Sequence, residues 1–388
     1  MSRRIQAVKV DSFFASRYMP LLSETIRYLR TANSLPLKGL KIILAQHLVP
    51  TILPLFEALV ECGAKPEDIY ALGKIYSTNP EVVQELKRLG VNLRLSARTQ
   101  MGDYEKDLKL GASYLWQELF NSTQGQFEPQ GILVLDHGGF LRQTLPPQLL
   151  GKYPIVAVEH TAKGFFADSA NIVPVIDMAR SRAKKLLEPD AIVSQALNAL
   201  REWESNYSGA RIGIIGCGSI GRALLEQLRR EHISCSFFDI DPLSSKSGCR
   251  VKSTTALINQ SDIIFGCTGR DIAREVNWSS ITGNKTFLSL SSGDIEFASL
   301  LKRSSERGCG LETIYLSTDE TEIRIPYGGF PCNFAFAVKG DTGERIQITR
   351  SLTLLSTVQA AVLLRRNLAI EISPADEKFL FLHAVTCD

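Results

Sequence analysis

The chain has little of what metal centres, membrane spans and nucleic-acid surfaces are built from. Its 388 residues include only five histidines and three tryptophans. The eight cysteines (62, 217, 235, 249, 267, 309, 332 and 387) form no Cys-x-x-Cys and no Cys/His ligand spacing. A structural zinc site and a disulfide framework are thereby excluded, no metal is expected, and the thiols read as reduced. Cys217 reads as a small filler residue rather than a redox sensor. No apolar run reaches the roughly 18 residues a membrane span needs. The start, Met-Ser-Arg-Arg-Ile-Gln-Ala-Val-Lys-Val-Asp, is broken by charge before an apolar targeting core can form. The expectation is a cytoplasmic protein without a membrane partner. Acids and bases are interspersed to a net charge of +3, with no long basic block, so nucleic acid is not an expected partner either. No internal repeat or low-complexity tract appears.

What the chain has is a core and one strong motif. With 44% hydrophobic and 22% charged residues it can bury a substantial interior, divided at this length into two domains. The motif is Arg211-Ile-Gly-Ile-Ile-Gly-Cys-Gly-Ser-Ile-Gly221, followed by an amphipathic stretch with Leu224, Leu225 and Leu228 and then Ser-Cys-Ser-Phe-Phe-Asp239. Apolar strand, glycines, helix, second strand and terminal acid occur in the order of a dinucleotide-binding βαβ unit. Gly216, Gly218 and Gly221 would give the tight turn, the close approach to pyrophosphate and the helix–strand packing. Ser219 and Ile220 would open the helix whose N–H groups face the phosphates. Asp239 would accept from the ribose hydroxyls and repel a 2′-phosphate, which favours NAD over NADP; Lys246 and Arg250 are the residues that would favour NADP.

Upstream, Lys41-Ile-Ile-Leu-Ala45, Asp68-Ile-Tyr-Ala-Leu72, Val91-Asn-Leu-Arg-Leu95, Gly131-Ile-Leu-Val-Leu135 and Pro154-Ile-Val-Ala-Val158 alternate with helical patterns, which predicts a second parallel α/β sheet. A helix-patterned stretch from about Met178 to Trp203 joins the halves. Downstream, Asp262-Ile-Ile-Phe-Gly, Lys285-Thr-Phe-Leu-Ser-Leu and Thr321-Glu-Ile-Arg-Ile continue the cofactor domain, and an apolar helix from Ile348 to about Leu368 is expected to return to the first. The reading is a fold of two doubly wound parallel-sheet α/β domains: a substrate-binding domain over 1–203, completed by 348–388, and a Rossmann NAD-binding domain over 208–347. The active site is expected in the cleft between the carboxyl ends of the two sheets.

The colinear order of several short segments resembles the S-adenosylhomocysteine hydrolase family over nearly the whole chain. The segments are Ala45-Gln-His47-Leu-Val, Ser77-Thr-Asn-Pro80, Asp136-His-Gly-Gly-Phe140, Glu159-His-Thr-Ala-Lys-Gly164 and Ile176-Asp-Met-Ala-Arg-Ser-Arg182, then Phe238-Asp-Ile-Asp-Pro242, Cys267-Thr-Gly-Arg270, Ser291-Ser-Gly-Asp-Ile-Glu296 and Pro374-Ala-Asp-Glu-Lys with Leu-His383. The resemblance implies tightly held NAD, contacted by Thr268 and Gly269 and by Asn333 near the carboxamide. It also implies a cycle of oxidation, elimination, water addition and reduction on the substrate ribose. The family's acid/base groups are mostly replaced, however: its cleft carboxylates by His137 and His160, a further acid by Phe140, its catalytic lysine by Arg180, an Asp-Asn pair by Lys184-Lys185 and a histidine by Ser292. Among these groups only His47 remains. Arginine cannot act as a base near neutral pH, so hydrolysis of S-adenosylhomocysteine is not expected.

The replacements make the cleft cationic. Arg180 and Lys184, four apart on one helix face, with Lys163, His160, Glu159 and Asp177 nearby, would bind a small anionic substrate; the alternative is a solvated helix face. His137, His160 and His47 are the candidate proton-moving groups, against satisfied structural imidazoles. The resulting expectation is an NAD-dependent oxidoreductase on a small anion. Its alternatives are an NAD-binding regulator without turnover and a divergent hydrolase. A homodimer or larger assembly is expected from the resemblance and from the apolar stretch Leu352–Leu364, which intramolecular packing would explain equally well.

Overall fold

A computed structural model describes residues 19–32, 35–124, 128–166, 172–204, 207–242, 249–304, 310–317, 320–337 and 346–366. The tail motif with Pro374 and His383, together with Lys246, Cys309 and Cys387, lies outside them. The fold is the expected pair of parallel-sheet α/β domains. In the first sheet β1 (Lys41–Leu48), β2 (Ile69–Thr78), β3 (Asn92–Leu95), β4 (Ile132–Asp136), β5 (Ile155–Glu159) and β6 (Val175–Asp177) run parallel in the order β3-β2-β1-β4-β5-β6. Every residue of β1, β4 and β5 is buried. That is why these segments read as continuous apolar runs rather than alternating ones: helices cover both faces of the sheet.

The second sheet comprises β7 (Ile212–Ile215), β8 (Cys235–Phe238), β9 (Cys249–Arg250), β10 (Ile263–Gly266), β11 (Lys285–Ser289), β12 (Ile314–Ser317) and β13 (Glu322–Ile325), in the order β12-β13-β11-β10-β7-β8-β9. Only β12 is antiparallel, against β13. The short strands β6, β9 and β12 carry too little apolar pattern to be read from sequence. Each sheet starts at a central strand, adds two strands on one side and then crosses to the other. Each therefore has one switch point where consecutive crossovers leave in opposite directions, between β1 and β4 in one and between β7 and β10 in the other.

The helix Arg182–Trp203 ties the two cores together. Ala183 is buried in the first, while Val193, Leu197 and Leu200 are buried against the second. It starts later than the pattern from Met178 predicts, because Ser181 caps it, accepting from the Lys184 N–H at 3.2 Å. The helix Gln347–Arg366 returns to the first sheet, and Leu352, Leu354, Leu355, Val358 and Leu363 are buried there with Leu44, Leu133 and Val158. This corrects the use of that apolar stretch as a sign of oligomerisation, since its side chains are covered within one chain. Across the cleft, Arg98 and Asp294 pair at 3.0 Å with both side chains buried, and Asp294 also accepts from the Gly102 N–H at 2.7 Å. No described helix is long and apolar enough to cross a membrane.

Candidate active site

The two switch points face one another across a cavity of about 380 Å³. On the second sheet, β7 ends in the glycine turn, and each glycine has its own steric reason. Gly216 has φ +92°, and a Cβ there would lie 2.8 Å from the Thr268 methyl and 3.0 Å from the Cys267 carbonyl. A Cβ on Gly221 would stand 2.0 Å from the Gly216 carbonyl oxygen. At Gly218 a Cβ would meet nothing within 4 Å. Two glycines are thus required by packing, while the middle one borders open space, as a backbone that must admit a pyrophosphate does. The helix Ser219–Arg230 begins there with no side-chain cap, leaving first-turn N–H groups for an anion, and Ser219 and Ile220 line the cavity. Asp239, just beyond β8, is held by the Cys217 N–H at 2.5 Å and the Asp241 N–H at 2.8 Å. The turn therefore fits a dinucleotide. Asn333 also lines the cavity, and its amide makes no hydrogen bond to a described residue.

On the first sheet, a bulge shapes the site. Between paired positions, β1 has one residue, His47, where β2 has four, Lys74 to Ser77. The bulge turns Lys74, Tyr76 and Ser77 toward the end of β1. His47 Nδ1 lies 2.5 Å from Ser77 Oγ, and its ring stacks on Phe334 at 4.1 Å between centroids and meets His137 edge-on at 4.8 Å. Lys74 is fully buried, with Nζ 2.7 Å from His137 Nδ1 and 3.5 Å from Ser292 Oγ of the other domain. Burial lowers the Lys74 ammonium to about 7, against the pull of Glu159 and Asp136, and burial with the Lys74 charge beside it holds His137 well below the ordinary imidazole range.

His137 is carried on a turn with an unusual charge content. Asp136, Glu159 and Arg142 are all fully buried. Asp136 accepts from the N–H groups of His137, Leu141 and Arg142 at 2.9, 3.2 and 2.9 Å. Glu159 accepts from Gly138 and Gly139 at 3.0 Å each, from the Thr161 hydroxyl at 2.8 Å and from Arg142 Nη2 at 2.8 Å. Desolvation, with Glu159 beside it, raises Asp136 to about 6. The cluster exists to fold the Asp-His-Gly-Gly turn, which sets His137 at the cavity.

Several predicted residues stand elsewhere than expected. Both carboxylate oxygens of Glu159 are spent on this turn, so it is a support rather than a substrate ligand. His160 Nδ1 donates to the Asp136 carbonyl at 2.7 Å, while Nε2 lies 3.2 Å from Thr353 Oγ1 and 3.4 Å from Gln46 Nε2. Burial pushes it down to about 3. With both nitrogens engaged it is a neutral fixture of the cavity wall, and not a proton carrier. Arg180 precedes the helix, is half exposed, pairs with Asp177 and stacks on Phe165 at 4.4 Å. Neither Arg180 nor Asp177 lines the cavity. Lys184 does, donating to the His160 carbonyl at 2.8 Å beside Glu188 at 3.3 Å, and Lys163 reaches the rim while paired to Glu105 at 2.6 Å. Thr268 and Gly269 lie at the switch point, but their N–H groups are held by Glu296 and so are not available to a nucleotide.

Three contributors had escaped sequence reading. Lys74 is a lone charge inside an apolar run, a readable signal. Arg350 lines the cavity from the helix Gln347–Arg366, buried and donating to the Thr51 carbonyl at 3.1 Å, and nothing local distinguishes it from a surface arginine. Arg142 likewise gave no sign. Glu188 is the one carboxylate among the described lining residues, against Lys163, Lys184, Lys185 and Arg350. The cavity is cationic: the predicted Lys163 and Lys184 line it, while Arg180 does not and Lys185 and Arg350 do. No group of three or more potential metal ligands occurs among the described residues.

No protein-family model matches the chain. An uncharacterized protein of Mycobacterium tuberculosis, found in two strains, is 27% identical over 349 residues, or 86% of this chain. The chain spans 65% of the length of these curated relatives. Solved structures with related architecture include the dipicolinate synthase A chain of Bacillus subtilis (12% identical, TM-score 0.43, 84% of this chain and 99% of that one). A glyoxylate/hydroxypyruvate reductase of Sinorhizobium meliloti is 11% identical with a TM-score of 0.41, over 79% of this chain and 97% of that one. Superpositions this loose carry nothing about what the chain acts on.

Proposed function

We propose that the protein is an NAD-dependent oxidoreductase acting on a small anionic substrate. The observation that carries this reading is the opposition of the two switch points, with an uncapped glycine turn on one side of the cavity and a supported histidine on the other. Gly216, Gly218, Gly221 and the first-turn N–H groups of Ser219 and Ile220 would hold the pyrophosphate, Asp239 the adenosine ribose and Asn333 the carboxamide. Bound there, the nicotinamide would supply the hydride acceptor or donor. The chain's own residues do the rest: Arg350 and Lys184 hold the substrate's acid group, Phe334 and the closed Arg98–Asp294 contact exclude water, and His137 holds or releases the proton at the reacting oxygen or nitrogen. The resemblance to S-adenosylhomocysteine hydrolase belongs to this reading as a frame for the domain order, with a different substrate.

An NAD-binding regulator without turnover is the second reading, favoured by the complete engagement of Glu159 and His160 inside the protein. Calorimetric titration with NAD, NADH and NADP, followed by turnover assays on small hydroxy, amino and keto acids, separates the two. NAD should bind below about 1 mM, equivalent to ~4 kcal/mol, and His137→Gln should keep that binding while losing a factor of ~10²–10⁴ in turnover. Failure of every dinucleotide to bind would sink both readings. Binding without turnover on any member of the panel would leave the regulator.

A further inference from the structure

We infer that Lys74 and His137 act as one proton-holding unit, in which the buried amine sets the tautomer of the imidazole that faces the cavity. The inference rests on the oxidoreductase reading only for its purpose; the pairing itself is a property of the free protein. Lys74 reaches the site because four residues of β2 bulge against one of β1, and its Nζ meets His137 at Nδ1 at 2.7 Å, while the His137 ring lines the cavity. An ammonium can only donate. While Lys74 is charged, Nδ1 must therefore accept, and the ring proton sits on Nε2. When Nε2 gives that proton to a group in the cavity, one proton moves from Nζ to Nδ1. Lys74 becomes a neutral amine that accepts from Nδ1–H, and Nε2 is left with a lone pair. Abstraction from a substrate hydroxyl runs the same steps in reverse. One proton is exchanged in either direction, and the positive charge resides on Nζ, never on the imidazole.

The surroundings suit this division. Facing the pair are His47 from β1, Tyr76 from β2, Asp136 from β4, Glu159 from β5 and His160 just beyond it, Lys163 and Lys184 from the helices beyond, and Ser292 from the second domain. The two carboxylates sustain a charge on Lys74, while burial and the other cations oppose it, which leaves the ammonium at about 7. His137 itself is held far below that range, so the imidazolium is the disfavoured form. A plain counter-ion for Asp136 and Glu159 would need no contact with His137 and no titration near neutrality.

The test is nitrogen NMR of the histidine rings in the protein without substrate, from pH 5.5 to 9. The His137 signals are identified by their absence in His137→Gln. In the wild type, Nδ1 should move from the unprotonated to the protonated position, and Nε2 the opposite way, across about pH 7. Lys74→Met should abolish the step. Lys74→Arg, charged throughout, should keep Nδ1 unprotonated at every pH, and it serves should the methionine variant fail to fold. A wild-type ring that holds one tautomer over the whole range, or a step that persists in either variant, overturns the inference. The step present in a protein that binds no dinucleotide would leave the pair standing and remove the oxidoreductase. Dinucleotide binding with no step would do the reverse.

Discussion

The two switch points share a strand order and differ in what fills them. At β7/β10 the contacts are mostly backbone, glycines and a helix start, with the strand-end carboxylate of Asp239 and a buried Glu296 that holds the Thr268 and Gly269 N–H groups. At β1/β4 they are side chains, and behind them stands a buried layer of two carboxylates, an arginine and a lysine. A phosphate site made of N–H groups needs only small residues at set spacing, so its requirement is written locally. A proton-handling site must hold imidazoles at fixed height and tautomer, which needs second partners brought from β2, β5 and two helices.

The sharpest way to break the comparison is to remove that buried layer. Arg142→Met leaves Asp136 and Glu159 without their shared guanidinium, and breaking a buried pair by taking one partner costs ~3–5 kcal/mol. Denaturant unfolding at pH 7 should show a loss of that size. Removing the glycine turn's constraint should act differently at each position. Gly221→Ala places a Cβ against the Gly216 carbonyl and should cost ~1–3 kcal/mol by forcing the backbone apart. Gly218→Ala should leave stability within about 0.5 kcal/mol yet weaken NAD binding by at least about tenfold, ~1.4 kcal/mol. Equal stability losses at the two glycines would mean that Gly218 is a packing residue and that the opening beside it is not a nucleotide site.

The same contrast governs what could be read in advance. The glycine turn, both sheets and the returning helix follow from apolar runs and spacing, because buried parallel strands have to be continuously apolar. His137 was legible as a histidine at a strand end before Gly-Gly. The partition of roles around it was not. Glu159 reads as a substrate ligand in a line of sequence, and only the placement of Arg142, Gly138 and Gly139 shows its oxygens to be engaged within the turn. Arg180 was placed on a helix face by a period that Ser181 interrupts. Arg350 lies some 300 positions from Thr51, its partner, and no local pattern links them.

A pH-dependent effect follows from Lys74. Its ammonium titrates near 7 in the folded protein and near 10.5 when unfolded. Between those values the unfolded chain binds the extra proton, so folding stability rises with pH at up to ~1.4 kcal/mol per unit. Below about 7 the burial penalty is present in full. The difference in stability between wild type and Lys74→Met should therefore shift in favour of the wild type from pH 7 to 9 and stay constant from pH 5.5 to 6.5. A difference that is flat throughout would mean that Lys74 stays charged in the fold.

The smallest effect is expected where the sequence pointed most directly to substrate. Arg180 stands outside the cavity, half exposed, held by Asp177 and two phenylalanine rings. An exposed pair of this kind contributes ~0–1 kcal/mol. Arg180→Ala should shift stability by no more than that and leave substrate affinity unchanged, whereas Arg350→Met, which takes a buried cation from the cavity wall, should raise KM at least about tenfold, ~1.4 kcal/mol, with NAD binding intact. The reverse order, with Arg180 controlling KM and Arg350 silent, would place the anion at the rim and give the basic segment before the long helix the role its composition suggests.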